Sequence, residues 1–192
     1  MCCKQSTTNL KTEKIILGVD PGTTIMGFGI IKVIGKKMEF VQMNELILKK
    51  YDDHYLKLKL IFERTIELID TYKPDEIALE APFFGKNVQS MLKLGRAQGV
   101  AMAAGLSREI PVTEYAPLKI KMAITGNGKA SKEQVALMLK SLLNLKELPK
   151  NLDATDGLAA AVCHFYNSGK KVGGKNYSGW ASFVKQNPSK IK

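Results

Sequence analysis

The sequence predicts an α/β fold in which a mixed five-stranded sheet is flanked by helices. Three strand-like segments come first and are separated by short turns, as in an antiparallel meander. The later segments alternate between helical and strand periodicity, which is typical of strands joined by helical crossovers. A sheet that starts as a meander and continues through crossovers contains both kinds of strand pair, and it is therefore mixed.

The strands are recognised as apolar runs bounded by turn residues. The first run leads directly into Asp20, Pro21 and Gly22. The second contains the Gly27-Phe28-Gly29 step, and it is joined to the third at Gly35. The predicted strands cover residues 15–19, 26–34, 37–48, 76–79 and 110–113.

The helices are predicted from apolar residues at intervals of three and four. Pro74 ends the first helix, and small residues in the second permit close packing against a sheet. Pro117 stands near the first turn of the third helix, and Ser131 caps the fourth with Gln134 close to the position of a capping box. The predicted helices cover residues 55–72, 87–106, 116–124, 131–143 and 153–166.

The composition is that of one folded domain with polar flanks. The 192 residues are 45% hydrophobic and 24% charged, which suffices for one core. We expect a polar N-terminal extension over residues 1–14, a domain over 15–167 and a flexible basic tail over 168–192. No apolar run approaches the roughly 20 residues of a membrane span, and the start lacks the apolar middle of a signal peptide, so we expect a cytoplasmic protein. Cys2, Cys3 and Cys163 fit neither a disulfide framework nor zinc spacing, and we expect free thiols.

The net charge of +11 indicates a polyanionic partner. Six lysines lie in the tail, and the folded part is only mildly basic. Its basic stretch runs from Glu114 to Glu133 and contains Lys119, Lys121, Lys129 and Lys132. A solvated surface has the same composition, so charge alone leaves nucleic-acid binding open.

Four acidic residues stand at the ends of predicted elements. Asp20 and Glu80 end buried strands, where an ionised carboxylate is costly unless it is solvated, paired or bound to a metal. Asp153 and Asp156 begin a helix three residues apart, so their side chains share a face about 5–6 Å apart and repel each other. An N-cap with a first-turn acid explains that pair equally well. If all four converge, they form a divalent-metal site of hard oxygen ligands.

The loop after Glu80 contains two adjacent aromatic residues, Phe83 and Phe84. An exposed aromatic here could stack on an unpaired base or wedge into a base step, whereas a buried one would belong to the core.

The two histidines are expected to have structural roles. His164 lies two helical turns after Asp156, about 12 Å along the axis, so it is too distant to share a metal ion and should be a packing residue. For His54 we expect a capping or surface role. The sequence contains no Ser/His/Asp or Cys/His pattern that would indicate covalent catalysis.

Taken in order, these motifs resemble the RuvC family of Holliday-junction resolvases. They are Asp20-Pro21-Gly22-Thr23, the Gly27-Phe28-Gly29 strand, Glu80 with Phe83, and residues 92–100 and 153–159. The resemblance covers residues 15–165. It implies a ribonuclease-H-like fold, a homodimer, and magnesium-dependent cutting of two strands of a four-way DNA junction at symmetric positions. It also implies the RuvA and RuvB branch-migration proteins as partners.

The resemblance also implies roles for individual residues. The catalytic carboxylates of the family match Asp20, Glu80, Asp153 and Asp156. Its base-stacking aromatic residue matches Phe83, and the basic residues near its scissile phosphate match Lys121 and Lys132. We expect two Mg²⁺ ions, for which Mn²⁺ can substitute, because two ions about 3.5–4 Å apart activate the water and stabilise the leaving 3′-oxygen. We expect Asp20 to bridge the ions, Glu80 and Asp156 to complete their shells, and Asp153 to ligate or to position the water.

Three other functions remain open. An actin-like ATP-binding module shares the Asp-Pro-Gly-Thr-Thr turn but needs a second lobe and a second phosphate loop, and neither is visible. A junction-binding protein without cleavage would lack a carboxylate. A ribonuclease H acting on RNA–DNA hybrids shares the metal chemistry, although the Phe83 loop and the Asp153–Asp156 spacing favour the resolvase.

Overall fold

The computed structural model describes residues 13–82, 87–149 and 151–168. In this part of the chain there are five strands and five helices. The strands are β1 (Glu13–Asp20), β2 (Ile25–Ile34), β3 (Lys37–Ile47), β4 (Glu76–Glu80) and β5 (Val112–Tyr115). The helices are α1 (His54–Tyr72), α2 (Val88–Leu106), α3 (Pro117–Thr125), α4 (Lys132–Leu143) and α5 (Asp153–Ser168).

The strands form one mixed sheet in the order β3-β2-β1-β4-β5. β1, β2 and β3 are antiparallel neighbours, whereas β4 is parallel to β1 and β5 is parallel to β4. The predicted meander and the two helical crossovers are therefore confirmed. The largest difference is at β5, which was predicted at 110–113 and begins at Val112. Pro111 precedes it and has no N–H group to donate to a ladder.

The two faces of the sheet bury separate hydrophobic cores. Side chains alternate along β1, so Leu17 and Val19 pack with α1 and α2, whereas Ile16 packs with α3, α4 and α5. The alanine-rich α5 crosses β1 and β2 on this second face. None of the described helices combines the length and hydrophobicity that a bilayer crossing requires.

Glycines let α5 lie directly on the sheet backbone. A Cβ atom at Gly18 would lie 2.1 Å from the carbonyl oxygen of Gly157, and one at Gly29 would lie 2.2 Å from Cα of Leu158. Neither distance is compatible with a side chain, so these positions fix how closely the helix approaches.

Several predicted features lie outside the described residues. They are Phe83, Phe84, Cys2, Cys3, and most of the predicted extension and tail. α5 continues to Ser168, two residues beyond its predicted end, and Asn167 Nδ2 donates a hydrogen bond of 2.7 Å to the carbonyl of Cys163. Cys163 is a buried free thiol, as predicted.

Candidate active site

Parallel pairing of β1 and β4 brings Asp20 and Glu80 to the same edge of the sheet. Val19 pairs with Leu79, and the next residue of each strand is the acid. Both acids face α5, because Gly18 and Ala78 lie two residues earlier on that face of their strands. As predicted, both carboxylates stand at strand ends.

The first turn of α5 supplies the other two acids. Asp153 is the first residue of the helix and Asp156 follows one turn later. The segment before the helix is tied to the sheet, because Asn151 Nδ2 donates a hydrogen bond of 2.5 Å to Oε2 of Glu45 on β3. This hydrogen bond helps to hold the start of α5 over the strand ends.

These elements enclose a cleft of about 330 Å³. Three of the predicted acids and both predicted lysines line it: Asp20, Glu80, Asp156, Lys121 and Lys132. Its remaining wall is largely apolar and consists of Pro117, Ile120, Val135 and Ala159. Asp153 is not part of the lining, but Lys132 links it to Asp156.

Lys132 is the first residue of α4, and it bridges the two acids of α5. Its Nζ lies 3.0 Å from Oδ1 of Asp153 and 2.6 Å from Oδ2 of Asp156. The helix start is held by the predicted capping box, in which Ser131 accepts from Gln134 N and donates its own N–H to the Gln134 side chain. The cap fixes the backbone from which Lys132 reaches the site.

The cleft carries more negative charge than its lysines offset. Burial raises the pKa of Asp20 well above its usual value, and the charges of Glu80 and Asp156 raise it further. Burial, followed by the charge of Asp156, raises the pKa of Glu80 to about 7, although Lys132 and Lys121 act in the opposite direction. Burial also raises the pKa of Asp156 despite its hydrogen bond from Lys132. An additional cation would relieve this repulsion.

The donor set fits a hard divalent cation, because its members are carboxylates that are buried close together. In the described part of the chain, however, no three acidic, histidine or cysteine side chains already stand as a group that could hold a metal ion. Lys132 fills the space between Asp153 and Asp156. A metal ion held by these acids would therefore require some of the side chains to turn.

The prediction for His164 is confirmed, but its polar partners could not be predicted. The ring is buried, with Nδ1 2.9 Å from the hydroxyl of Tyr115 and Nε2 2.6 Å from Oε2 of Glu76. Lys14 pairs with the same carboxylate. Burial opposes ionisation of Glu76, but the hydrogen bonds from Lys14 and His164 outweigh it, and the pKa of Glu76 is lowered.

At the start of α1 the capping residue is Asp53. Its side chain accepts hydrogen bonds from the N–H groups of Tyr55 and Leu56. Of the two roles predicted for His54, capping or surface, the capping role is therefore wrong. An aspartate directly before a helical run was the signal for this cap. Burial lowers the pKa of His54, with Arg96 and Lys93 on α2 adding to the effect.

Comparison with known proteins identifies the family of the chain. The family model for crossover junction endodeoxyribonuclease RuvC matches residues 16–164. The RuvC protein of Christiangramia forsetii is 81% identical over 183 residues, which are 95% of each chain. That of Bacteroides fragilis is 63% identical and aligns over 94% of this chain and 97% of its own.

Among solved structures, Thermus thermophilus RuvC in complex with a Holliday junction substrate superimposes with a TM-score of 0.75. The two chains are 31% identical, and the alignment covers 81% of this chain and 94% of the Thermus chain. The predicted ribonuclease-H-like fold is confirmed by this similarity and by the mixed five-stranded sheet. The chain belongs to the RuvC family of crossover junction endodeoxyribonucleases.

Proposed function

We propose that the chain resolves four-way (Holliday) DNA junctions by paired symmetric nicks in recombination and repair, as a metal-dependent phosphodiester hydrolase. The observation that carries this proposal is the cleft in which Asp20, Glu80 and Asp156 converge with Lys121 and Lys132. Within the RuvC family, this combination supports phosphodiester hydrolysis better than binding alone, because every carboxylate that the chemistry needs is present.

We propose that Asp20, Glu80, Asp153 and Asp156 hold two Mg²⁺ ions, for which Mn²⁺ can substitute. When bound, such ions activate the attacking water and stabilise the leaving 3′-oxygen. Asp20 is suited to be the central ligand, since its pKa responds to the charges of the other three acids. Lys121 and Lys132 would face the scissile phosphate and offset the charge that develops on it. The apolar wall formed by Ile120 and Val135 strengthens these interactions by excluding water.

We propose that two copies of the chain act together, because two symmetric nicks require two active sites. The α1 and α2 helices offer an apolar surface: Tyr55 is 76% exposed and Leu92 is 52% exposed. Gly95 and Gly99 have no atom within 4 Å of the position of an added Cβ, which leaves room for another helix to approach. Light scattering during gel filtration should give twice the mass of the chain, and Leu92→Glu should halve it.

The remaining parts of the proposal rest on family resemblance. Phe83 is proposed to stack on a base near the cut, and RuvA and RuvB to act as partners. Residues 15–167 are proposed as the nuclease domain, and the flanks, 1–14 and 168–192, as segments without catalytic groups. We also propose a cytoplasmic location, because the relatives named above come from bacteria, which keep their DNA in the cytoplasm.

The test is to incubate the purified protein with a synthetic four-way junction, with and without Mg²⁺. We expect paired symmetric nicks that require the metal. Asp20→Asn should retain junction binding but cleave more than about 100-fold more slowly, since even outer-shell changes at metal sites cost 10–100-fold. Asp70→Asn is the matched control, because Asp70 pairs with Arg108 outside the cleft.

Two results would contradict the proposal. Tight junction binding without cleavage in any metal would favour an architectural protein. Faster cleavage of an RNA–DNA hybrid than of the junction would favour a ribonuclease H.

A further inference from the structure

The Lys132 ammonium already occupies the position of a cation at the site. It lies within hydrogen-bonding distance of both acids of α5, at 3.0 Å from Asp153 and 2.6 Å from Asp156. The Asp156 side chain is only 15% exposed, and the ammonium lies against its carboxylate. Among the described residues, no other basic side chain forms an ion pair with the four acids.

The lysine can leave without moving the helix that carries it. The capping box of Ser131 and Gln134 fixes the start of α4, whereas the lysine stem has four rotatable methylene groups and its side chain is 52% exposed. The ammonium can therefore swing out of the cleft while the backbone stays in place.

A metal ion and this ammonium compete for the same oxygens. An inner-shell divalent ion needs lone pairs of Asp156 that now accept hydrogen bonds from Lys132, and two cations a few ångströms apart repel strongly in a partly buried cleft. We propose that Lys132 is an internal counterion that a divalent metal must displace from Asp156, which frees the ammonium to contact the phosphate. The inference rests on the proposed function, because it takes the four acids as the metal site.

If a metal ion has to displace Lys132 from Asp156, the lysine must weaken metal binding. In the absence of DNA, each metal ion must first break a charge-assisted pair, so the affinity is lower than the carboxylates alone would give. Removing the ammonium while keeping most of its stem should therefore tighten metal binding, even if the same change impairs cleavage.

The experiment is a calorimetric titration of the metal-free, full-length protein with Mn²⁺, without DNA. We expect Lys132→Met to bind Mn²⁺ about tenfold more tightly than the wild type, because one charge-assisted hydrogen bond no longer has to be broken. Lys121→Met is the matched control. Lys121 lines the same cleft, but among the described residues it makes no hydrogen bond or ion pair to the acids. Its charge acts on Glu80 and Asp156 without a direct bond, so its removal should tighten Mn²⁺ binding by less than about threefold.

The outcomes separate the inference from the proposed function. If the wild type binds no Mn²⁺, the metal site itself is wrong. If the wild type binds Mn²⁺ and Lys132→Met binds it no more tightly, the displacement proposal is wrong. It is also wrong if Lys132→Met and Lys121→Met both bind Mn²⁺ more tightly by the same factor.

A second measurement covers the case in which Lys132→Met does not fold. The NH₃⁺ resonance of Lys132 in the ¹⁵N-labelled wild type, assigned by its absence in Lys132→Arg, should shift saturably as Mg²⁺ is added. A resonance that does not respond while Mg²⁺ binds would overturn the proposal.

Discussion

Gly27 lies beneath the first turn of α5, and the carbonyl oxygen of Asp153 occupies the space that a side chain at Gly27 would need. A Cβ atom there would be 2.1 Å from that oxygen. Gly27 is also the direct partner of Asp20 across β1 and β2. The contact therefore links the acid at the end of β1 to the first acid of α5 through a single residue.

Replacing Gly27 with alanine should separate the two halves of the site. The added methyl group meets backbone that cannot yield, so we expect a loss of about 1–3 kcal/mol in the free energy of unfolding. Junction cleavage should fall by about 100-fold, because displacement of catalytic groups by about 1 Å has that effect. Gly128→Ala is the control, since the three atoms nearest to its Cβ would all belong to the exposed, flexible side chain of Leu118. Wild-type cleavage by a folded Gly27→Ala protein would contradict this role.

The raised pKa of Glu80 predicts how stability depends on pH without metal. The carboxyl titrates at about 7 in the folded protein and near 4.5 when unfolded, so the folded state holds its proton more tightly. The contribution of this carboxyl group to the free energy of unfolding is therefore complete below pH 4.5. It decreases by on the order of 3 kcal/mol as the pH rises to about 7. Urea unfolding across this range, with EDTA, should show the full loss in the wild type and in Glu63→Gln, and a smaller loss in Glu80→Gln, in which the raised pKa values of Asp20 and Asp156 still contribute. Equal pH profiles for all three would refute the assignment.

His164 should matter for stability and not for metal binding. His164→Leu leaves the Tyr115 hydroxyl without its partner and removes one of the hydrogen bonds to Glu76, so we expect a loss of about 2–3 kcal/mol in urea unfolding. Tyr115→Phe should cost about 1 kcal/mol. Mn²⁺ affinity should be unchanged in both variants. A His164→Leu protein of normal stability that binds Mn²⁺ poorly would instead put this histidine in the metal site.

Asn151 should position the acids of α5 through Glu45. Asn151→Ala removes the hydrogen bond between them, and we expect about 1 kcal/mol less stability together with a several-fold loss of cleavage. Asn167→Ala removes a comparable bond at the far end of α5, so it should lose similar stability and cleave normally. Glu45→Gln keeps an acceptor oxygen and should retain cleavage. If Asn151→Ala and Asn167→Ala cleave equally well, the positioning role is wrong.

Local sequence patterns predicted the elements and the places of the acids. Asp20 and Glu80 follow apolar strand runs, and Asp153 opens a helix, because such signals depend on a few neighbouring residues. The Ser131 capping box was visible for the same reason. The Gly27-Phe28-Gly29 step is visible in the sequence, but the helix that requires it lies more than 120 residues later in the chain.

Pairings between distant segments could not be predicted. Lys132 and Asp156 come together only because α3, α4 and α5 share one face of the sheet. The sequence assigns Glu76 to a strand but does not reveal its two partners, Lys14 and His164. These residues lie near the two ends of the domain sequence and meet Glu76 only in the folded structure. Composition and periodicity contain no information on such contacts, which depend on topology.

The position of α5 as the last described element affects how the protein is made. β1 and β4 leave the ribosome long before this helix and can begin to pair while synthesis continues. A nascent chain at that stage holds only Asp20 and Glu80 of the four proposed catalytic acids. If the four acids act as proposed, nuclease capacity arises only when α5 docks, so activity requires translation to continue through that helix.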